Sequence, residues 1–328
     1  MTIATAAWVR RSDEWPAWST FGLLDDVRPV LAQAVERRER VALATLFHSE
    51  GGSPRGVGAQ MVIGRTLLAG HLSGGCIEGD VARHADEVLD HGQSRRLVYG
   101  RGGPWDLPLP CGGRIEALVE PLAPDDGALL TLLGCWRERQ PCLWLTDGSE
   151  RSCAIDSSQG AEAGLQGERM FRRFAPALRL VLIGSDPTAL AIASLAAAAE
   201  IDVILCNPSG PADPPPLAGV RYSRASVEET IGALSIDRWT AVAACTHDQD
   251  LDHEALSTAL PSPAFYVGAL GSDRRLPERL ERLRRNGIGE ADLARLHSPI
   301  GLAIGARGPW EIAAAVVGEL IQTYRSSR

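Results

Sequence analysis

The chain contains no lysine: all 33 of its basic residues are arginine. That absence excludes a Walker-type phosphate-loop lysine, a pyridoxal Schiff base and any lysine base or nucleophile. No apolar run approaches the roughly 20 residues a membrane span needs. The opening stretch, MTIATAAWVRRSDEWPAW, has no continuous apolar segment of signal-peptide type, so no membrane attachment and a cytoplasmic location are expected. The seven cysteines are scattered without a C-x-x-C pair, which argues against a disulfide framework or a zinc site and for free thiols. A net charge of −8 makes a broad nucleic-acid-binding surface an unsuitable reading. No internal repeat is visible.

What is present divides the 328 residues into two regimes after a Trp-rich tail over 1–20. From 21 to 176 the pattern mixes strands and helices. An amphipathic helix is predicted over Leu24 to Arg37, a strand over VALATLFHSEG (41–51) and a hairpin over 60–72. A helix then ends at Gly92, and RRLVYG and GRIEALVEPL form two more strands. A further helix is predicted over 128–138 and a strand at PCLWLTD. From 177 to 328 apolar strands (LRLVLIGS, IDVILCN, WTAVAACT, AFYVGALGS) alternate with helices, the pattern of βαβ units. The expected fold class is α/β: an N-terminal mixed α/β domain plus a C-terminal Rossmann-like, doubly wound parallel-sheet domain.

Three loops of the first domain carry the residues suited to chemistry. In EGGSPRGVGAQM (50–61), Gly52 and Ser53 let the backbone approach an anion and Arg55 can fork onto a phosphate. A flexible hairpin entry fits equally well. In HLSGGCIEGD, Gly74 and Gly75 bring backbone amides to a helix start, where the dipole favours anions and a thiolate at Cys76. Glu78 reads as a capping carboxylate in that first turn. In LPCGGRIEA the order is reversed, with Cys111 ahead of Gly112 and Gly113. A single such cysteine is ordinarily a small buried hydrophobe; two in mirrored glycine settings point to a shared role.

These stretches, with YVGALGSDRR, LARLHSPIGLAIGA and PWEIAAAVVGEL downstream, resemble the XdhC/CoxI family over nearly the whole chain after the first ~20 residues. The longer YGRGGPWDLPLPCGG loop resembles members that serve aldehyde-oxidising molybdoenzymes. The resemblance implies a cytoplasmic maturation chaperone, not itself an oxidoreductase. Such a protein binds molybdenum cofactor (molybdopterin, in its simple or cytosine dinucleotide form), protects it and supports its sulfuration. It then helps insert the cofactor into a xanthine dehydrogenase or aldehyde oxidoreductase-type enzyme. The implied partners are that target molybdoenzyme, a cysteine desulfurase and a molybdopterin nucleotidyltransferase, with homodimerisation a family expectation. Within this picture Gly52, Ser53, Arg55, Gly74, Gly75, Cys76, Glu78, Cys111, Gly112 and Gly113 are the candidate cofactor-binding residues. Cys76 and Cys111 are the candidate contacts to molybdenum, because a soft thiolate suits that metal.

The second domain departs from a dinucleotide fingerprint. In IGSDPTALA, Gly184 is present, but Asp186 and Ala189 stand where the second and third glycines belong, and Cys206–Asn207 replaces the ribose-binding acid. NAD(P) is therefore an unsuitable ligand, and a nicotinamide-dependent oxidoreductase, the alternative activity, rests on fold analogy alone. A pure scaffold between desulfurase and target is a third reading, against which the thiol-bearing glycine loops count. His247, Asp248, Asp250, Asp252 and His253 read as a pocket-edge loop, with Asp252 capping the next helix, rather than as a metal cluster. His297 reads as structural.

Overall fold

The computed structural model describes residues 15–51, 55–103, 109 and 111–326, and the chain divides between Pro176 and Ala177 into two units. In the first, a 3-10 turn over Thr20–Leu23 leads to α1 (Arg28–Glu36) and β1 (Val41–Glu50). Then come β2 (Gln60–Gly64), β3 (Leu68–Gly70), α2 (Glu78–His91), β4 (Arg95–Gly100), β5 (Arg114–Leu122) and α3 (Gly127–Arg137). The five strands form one antiparallel sheet in the order β3-β2-β1-β5-β4.

Strand β1 is apolar on both faces because both are covered. Val41 and Leu43 enter a core with α1 and α3, whereas Ala42, Ala44 and Leu46 enter the core beneath α2. Helix α2 contributes Val81, Ala82, Ala85 and Val88, the spacing of a single helical face. Helix α1 begins at Arg28, later than the sequence pattern suggests. Asp26 takes the Arg28 amide at 3.0 Å, and Pro29, which has no N–H to lose, sits in the first turn.

The unit is completed by a four-stranded antiparallel sheet, β7-β6-β9-β8, from β6 (Cys142–Thr146), β7 (Arg151–Ile155), β8 (Ala163–Gln166) and β9 (Arg169–Phe174). Trp144, Met170 and Phe174 of this sheet join the core beneath α1 and α3.

The second unit alternates β10 (Arg179–Ile183), α4 (Pro187–Ala198), β11 (Asp202–Cys206), β12 (Val220–Ser223), α5 (Val227–Ala233) and β13 (Thr240–Ala244). It continues through α6 (Gln249–Ala259), β14 (Tyr266–Ala269), α7 (Leu276–Arg285), α8 (Glu290–Leu293), β15 (Leu296–His297) and α9 (Pro309–Ser326). All six strands are parallel, in the order β12-β11-β10-β13-β14-β15, the doubly wound arrangement that reverses between β10 and β13. Helices α4 and α9 cover one face and α5 to α8 the other. Among the described residues no helix is long and apolar enough to cross a membrane.

Candidate functional site

The antiparallel order brings three loops to one end of the five-stranded sheet. Glu50, the last residue of β1, pairs with Arg114, the first of β5, which pairs with Gly100, the last of β4. On the other side Met61, near the start of β2, pairs with Gly70, the last of β3. The β1–β2, β3–α2 and β4–β5 connections, the three glycine-bearing stretches, therefore leave the sheet together. Gly51 lies so close to Gly113 that a Cβ on it would stand 3.3 Å from the Gly113 Cα. Gly52 and Ser53 lie outside the described residues.

The β3–α2 loop is built around one carboxylate. Glu78 is 1% exposed, and its Oε1 accepts from the amides of Leu72 (2.9 Å), Ser73 (2.6 Å) and Gly74 (3.2 Å). Its Oε2 accepts from the Ser73 hydroxyl (2.8 Å) and from the amides of Gly75 (2.8 Å) and Ile77 (3.2 Å). The chain can curl around the carboxylate this way because Gly74 and Gly75 adopt φ of 86° and 119°, open to glycine at no steric cost. The Ser73 hydroxyl takes the remaining amide, that of Cys76, at 3.1 Å. Burial pushes the Glu78 carboxyl up, but the hydrogen bonds from Ser73 and Leu72 outweigh it and hold it below its ordinary value.

This arrangement corrects the expected mechanism of anion binding. The amides of Gly74 and Gly75 do face an anion, but it is the protein's own, so they are not donors for a ligand. Glu78 shapes the loop and has no lone pair turned outward for a cofactor. What the loop presents to solvent is the exposed Cys76 thiol.

The β4–β5 loop presents the second thiol, the exposed Cys111. Leu109 is buried in the same core as Ile77 and Tyr99, which ties the segments carrying the two thiols to one hydrophobic floor. The start of α2 is fastened to the end of β4, because the Tyr99 hydroxyl donates to Asp80 at 2.7 Å. Around the base of the loop, Glu116 accepts from Arg96 and Arg114, each at 2.8 Å, and Arg101 pairs with Glu50 at 3.1 Å. This ionic framework was not legible from residue spacing, since its members come from strands distant in sequence. The other cysteines are buried, except the half-buried Cys153. Burial raises the thiols of Cys135, Cys206 and Cys245 above the ordinary value, which keeps them protonated and inert.

Arg55 is ion-paired with Asp25 at the β1–β2 loop. His71, the first residue after β3, is held below its ordinary pKa by burial and then by the Arg55 charge, while Glu78 pulls it upward. These opposing influences place Arg55, His71 and Glu78 in one electrostatic neighbourhood.

In the second unit the residues at the strand ends bond to one another. Asp186 accepts from the Ala189 amide at 2.7 Å as the α4 cap, and Asn207 donates to the Ser185 hydroxyl at 2.6 Å. Helix α6 starts three residues earlier than Asp252. Asp248 is its cap, accepting from Asp250 and Leu251, while Asp252 turns inward to Thr246 and Arg279. Asp250 pairs with Arg282, and His253 meets Asn286. His297 contacts Glu319 at 3.0 Å and stacks on Tyr266, pinning β15 to α9.

Residues 34–100 match the XdhC and CoxI family, and residues 180–320 match the XdhC Rossmann domain. The chain is 32% identical to the molybdenum cofactor insertion chaperone PaoD of Escherichia coli (strain K12), over 94% of this chain and 92% of that protein. It is 27% identical to a probable xanthine dehydrogenase subunit of Bacillus subtilis (strain 168), over 90% and 97%. A crystal structure of a xanthine dehydrogenase from Bacillus halodurans superposes with a TM-score of 0.72 at 26% identity, covering 92% of this chain and 96% of that one. With two exposed thiols on converging glycine loops and a similar relative matched almost end to end, the chain belongs to the XdhC/CoxI family.

Proposed function

We propose that this protein is a molybdenum cofactor insertion chaperone. It holds the cofactor at the glycine-loop end of the first unit, protects it and supports its sulfuration by a cysteine desulfurase. It then delivers the cofactor to a xanthine dehydrogenase or aldehyde oxidoreductase-type enzyme in the cytoplasm. Residues 21–176 are the cofactor-handling part and 177–328 the Rossmann-like part; the protein has no oxidoreductase activity of its own. A molybdopterin nucleotidyltransferase supplies the cytosine dinucleotide form, and the chaperone works as a homodimer. The observation that carries this reading is the pair of exposed thiols, Cys76 and Cys111, at the same end of one sheet. A pterin dithiolene complex offers a soft metal that suits thiolate contact. The cofactor is cargo here, not a resident group. Protein purified under anoxia and mixed with molybdenum cofactor is expected to retain about one equivalent per site with micromolar or tighter affinity. Retention no greater than that of an unrelated acidic protein refutes the proposal.

A further inference from the structure

Two arginines at this end of the first unit, Arg28 buried and Arg172 half-buried, each have a sequestered N–H donor without an acceptor. Arg28, 5% exposed, donates from Nε and Nη2 to the two oxygens of Asp26, each at 2.8 Å, and its Nη1 is buried with no partner. Arg172 of β9 donates from Nη1 to the Gly58 carbonyl, and its Nε is likewise buried with no partner. Both guanidinium carbons lie over the ring of Phe174, at 5.5 and 4.9 Å. Buried donors in folded proteins almost always find an acceptor, and leaving a charged one unmet is costly. Two such donors around one ring mark a place built for a group supplied from outside.

The charge balance agrees. Burial, reinforced by the neighbouring Arg28 and Arg55 and opposed by Glu162 and Asp26, pushes Arg172 down to about 10. Asp26 answers Arg28 and Asp25 answers Arg55. The cluster thus gathers three arginines, two of them ion-paired. It is also continuous with the loop end of the sheet. Gly58 belongs to the β1–β2 connection, and a Cβ on Gly70, the last residue of β3, would stand 2.8 Å from Val27, the neighbour of Arg28.

We infer that Arg28 and Arg172, with Arg55 at the rim, form an anion cradle that takes a phosphate or pyrophosphate group. The unmet N–H donors, Arg28 Nη1 and Arg172 Nε, suit phosphate oxygens as acceptors, and the desolvated setting strengthens each charge-assisted bond. Resting on the chaperone reading for its ligand, the cradle holds the phosphate-bearing tail of the cargo, the role the Gly74 and Gly75 amides cannot fill.

The test is a calorimetric titration of the full-length, cargo-free protein with inorganic pyrophosphate, against sodium chloride of equal ionic strength. Saturable binding is expected in the wild type. Arg172→Gln should bind about tenfold more weakly or worse, as for loss of one charge-assisted contact. Arg284→Gln, which removes an exposed arginine paired with Glu290 in the second unit, should bind like wild type. If Arg172→Gln fails to melt cooperatively, Arg172→Lys, which keeps the charge but loses the fork, should show an intermediate weakening. No saturable binding in the wild type, or undiminished binding in the folded Arg172 variants, overturns the inference. Cargo retention by wild-type protein without pyrophosphate binding removes the cradle and leaves the chaperone reading intact. Arg172-dependent pyrophosphate binding without cargo retention removes the chaperone reading and leaves the cradle.

Discussion

Glu78 and the two exposed cysteines divide the labour of the candidate site between shaping and presenting. Removing the carboxylate orphans five amides and a hydroxyl at once, so Glu78→Ala is expected to lower stability by about 2 kcal/mol or more, read by denaturant melting. The folded carboxyl lies below its ordinary value of 4.5. Its contribution is therefore present above pH 4.5 and lost as the pH falls through the folded-state value. The wild-type advantage over Glu78→Ala should shrink in an acid titration; an unchanged gap would falsify the charged role. Cys76→Ala and Cys111→Ala touch exposed side chains and should change stability by no more than about 0.5 kcal/mol, yet lower cofactor retention several-fold. Cys135→Ala and Cys206→Ala should do the reverse, costing about 1 kcal/mol and sparing retention. Molybdenum content beside thermal melting of the four variants decides it. If the two exposed-thiol variants load as well as wild type, those cysteines are not site residues. At this scale the sequence revealed glycine and cysteine because both are rare choices at a helix start. Glu78 reads as a capping carboxylate and does accept the amides around the helix start, whereas Arg28 and Arg172 are brought together only by tertiary packing.

Elements were legible in proportion to their burial. The apolar runs of β1, β10 and β13 and the single faces of α2 and α3 stand out because two covered faces or one covered stripe leave a period in the residues. Strands β7 and β8 are mostly exposed, and β12 and β15 are short, half-buried sheet edges, so little apolar pattern marked them. The turn that launches the Cys111 loop shows how strictly an element fixes the site. Gly100 has φ of 79°, and a Cβ there would overlap the Gly113 carbonyl across the β4–β5 pair. Gly100→Ala should therefore destabilise by more than about 1 kcal/mol and also weaken cofactor retention, because the strain falls at the root of the thiol-bearing loop. A variant with wild-type melting and wild-type retention would contradict this placement.

For the whole molecule, the parallel sheet of the second unit invites an expectation of dinucleotide binding that its side chains do not support. Asp186 caps α4 where a second glycine would stand, and Asn207 donates to Ser185 where an acid would stand. Calorimetry with NADH and NADPH is expected to give no saturable signal; a dissociation constant below ~100 μM would restore the oxidoreductase alternative. The parallel, doubly wound layers followed from alternating patterns, whereas the strand order and the partners of Asp186 and Asn207 are set by packing that no spacing rule identifies.

The carboxylate that closes the β3–α2 loop has a kinetic consequence. A loop that folds around its own residue does not wait for a guest to take shape. Capture then freezes few additional torsions, and departure leaves no collapsed or unravelled segment behind. On the proposed chaperone function, one copy of the protein is then expected to serve many rounds of delivery.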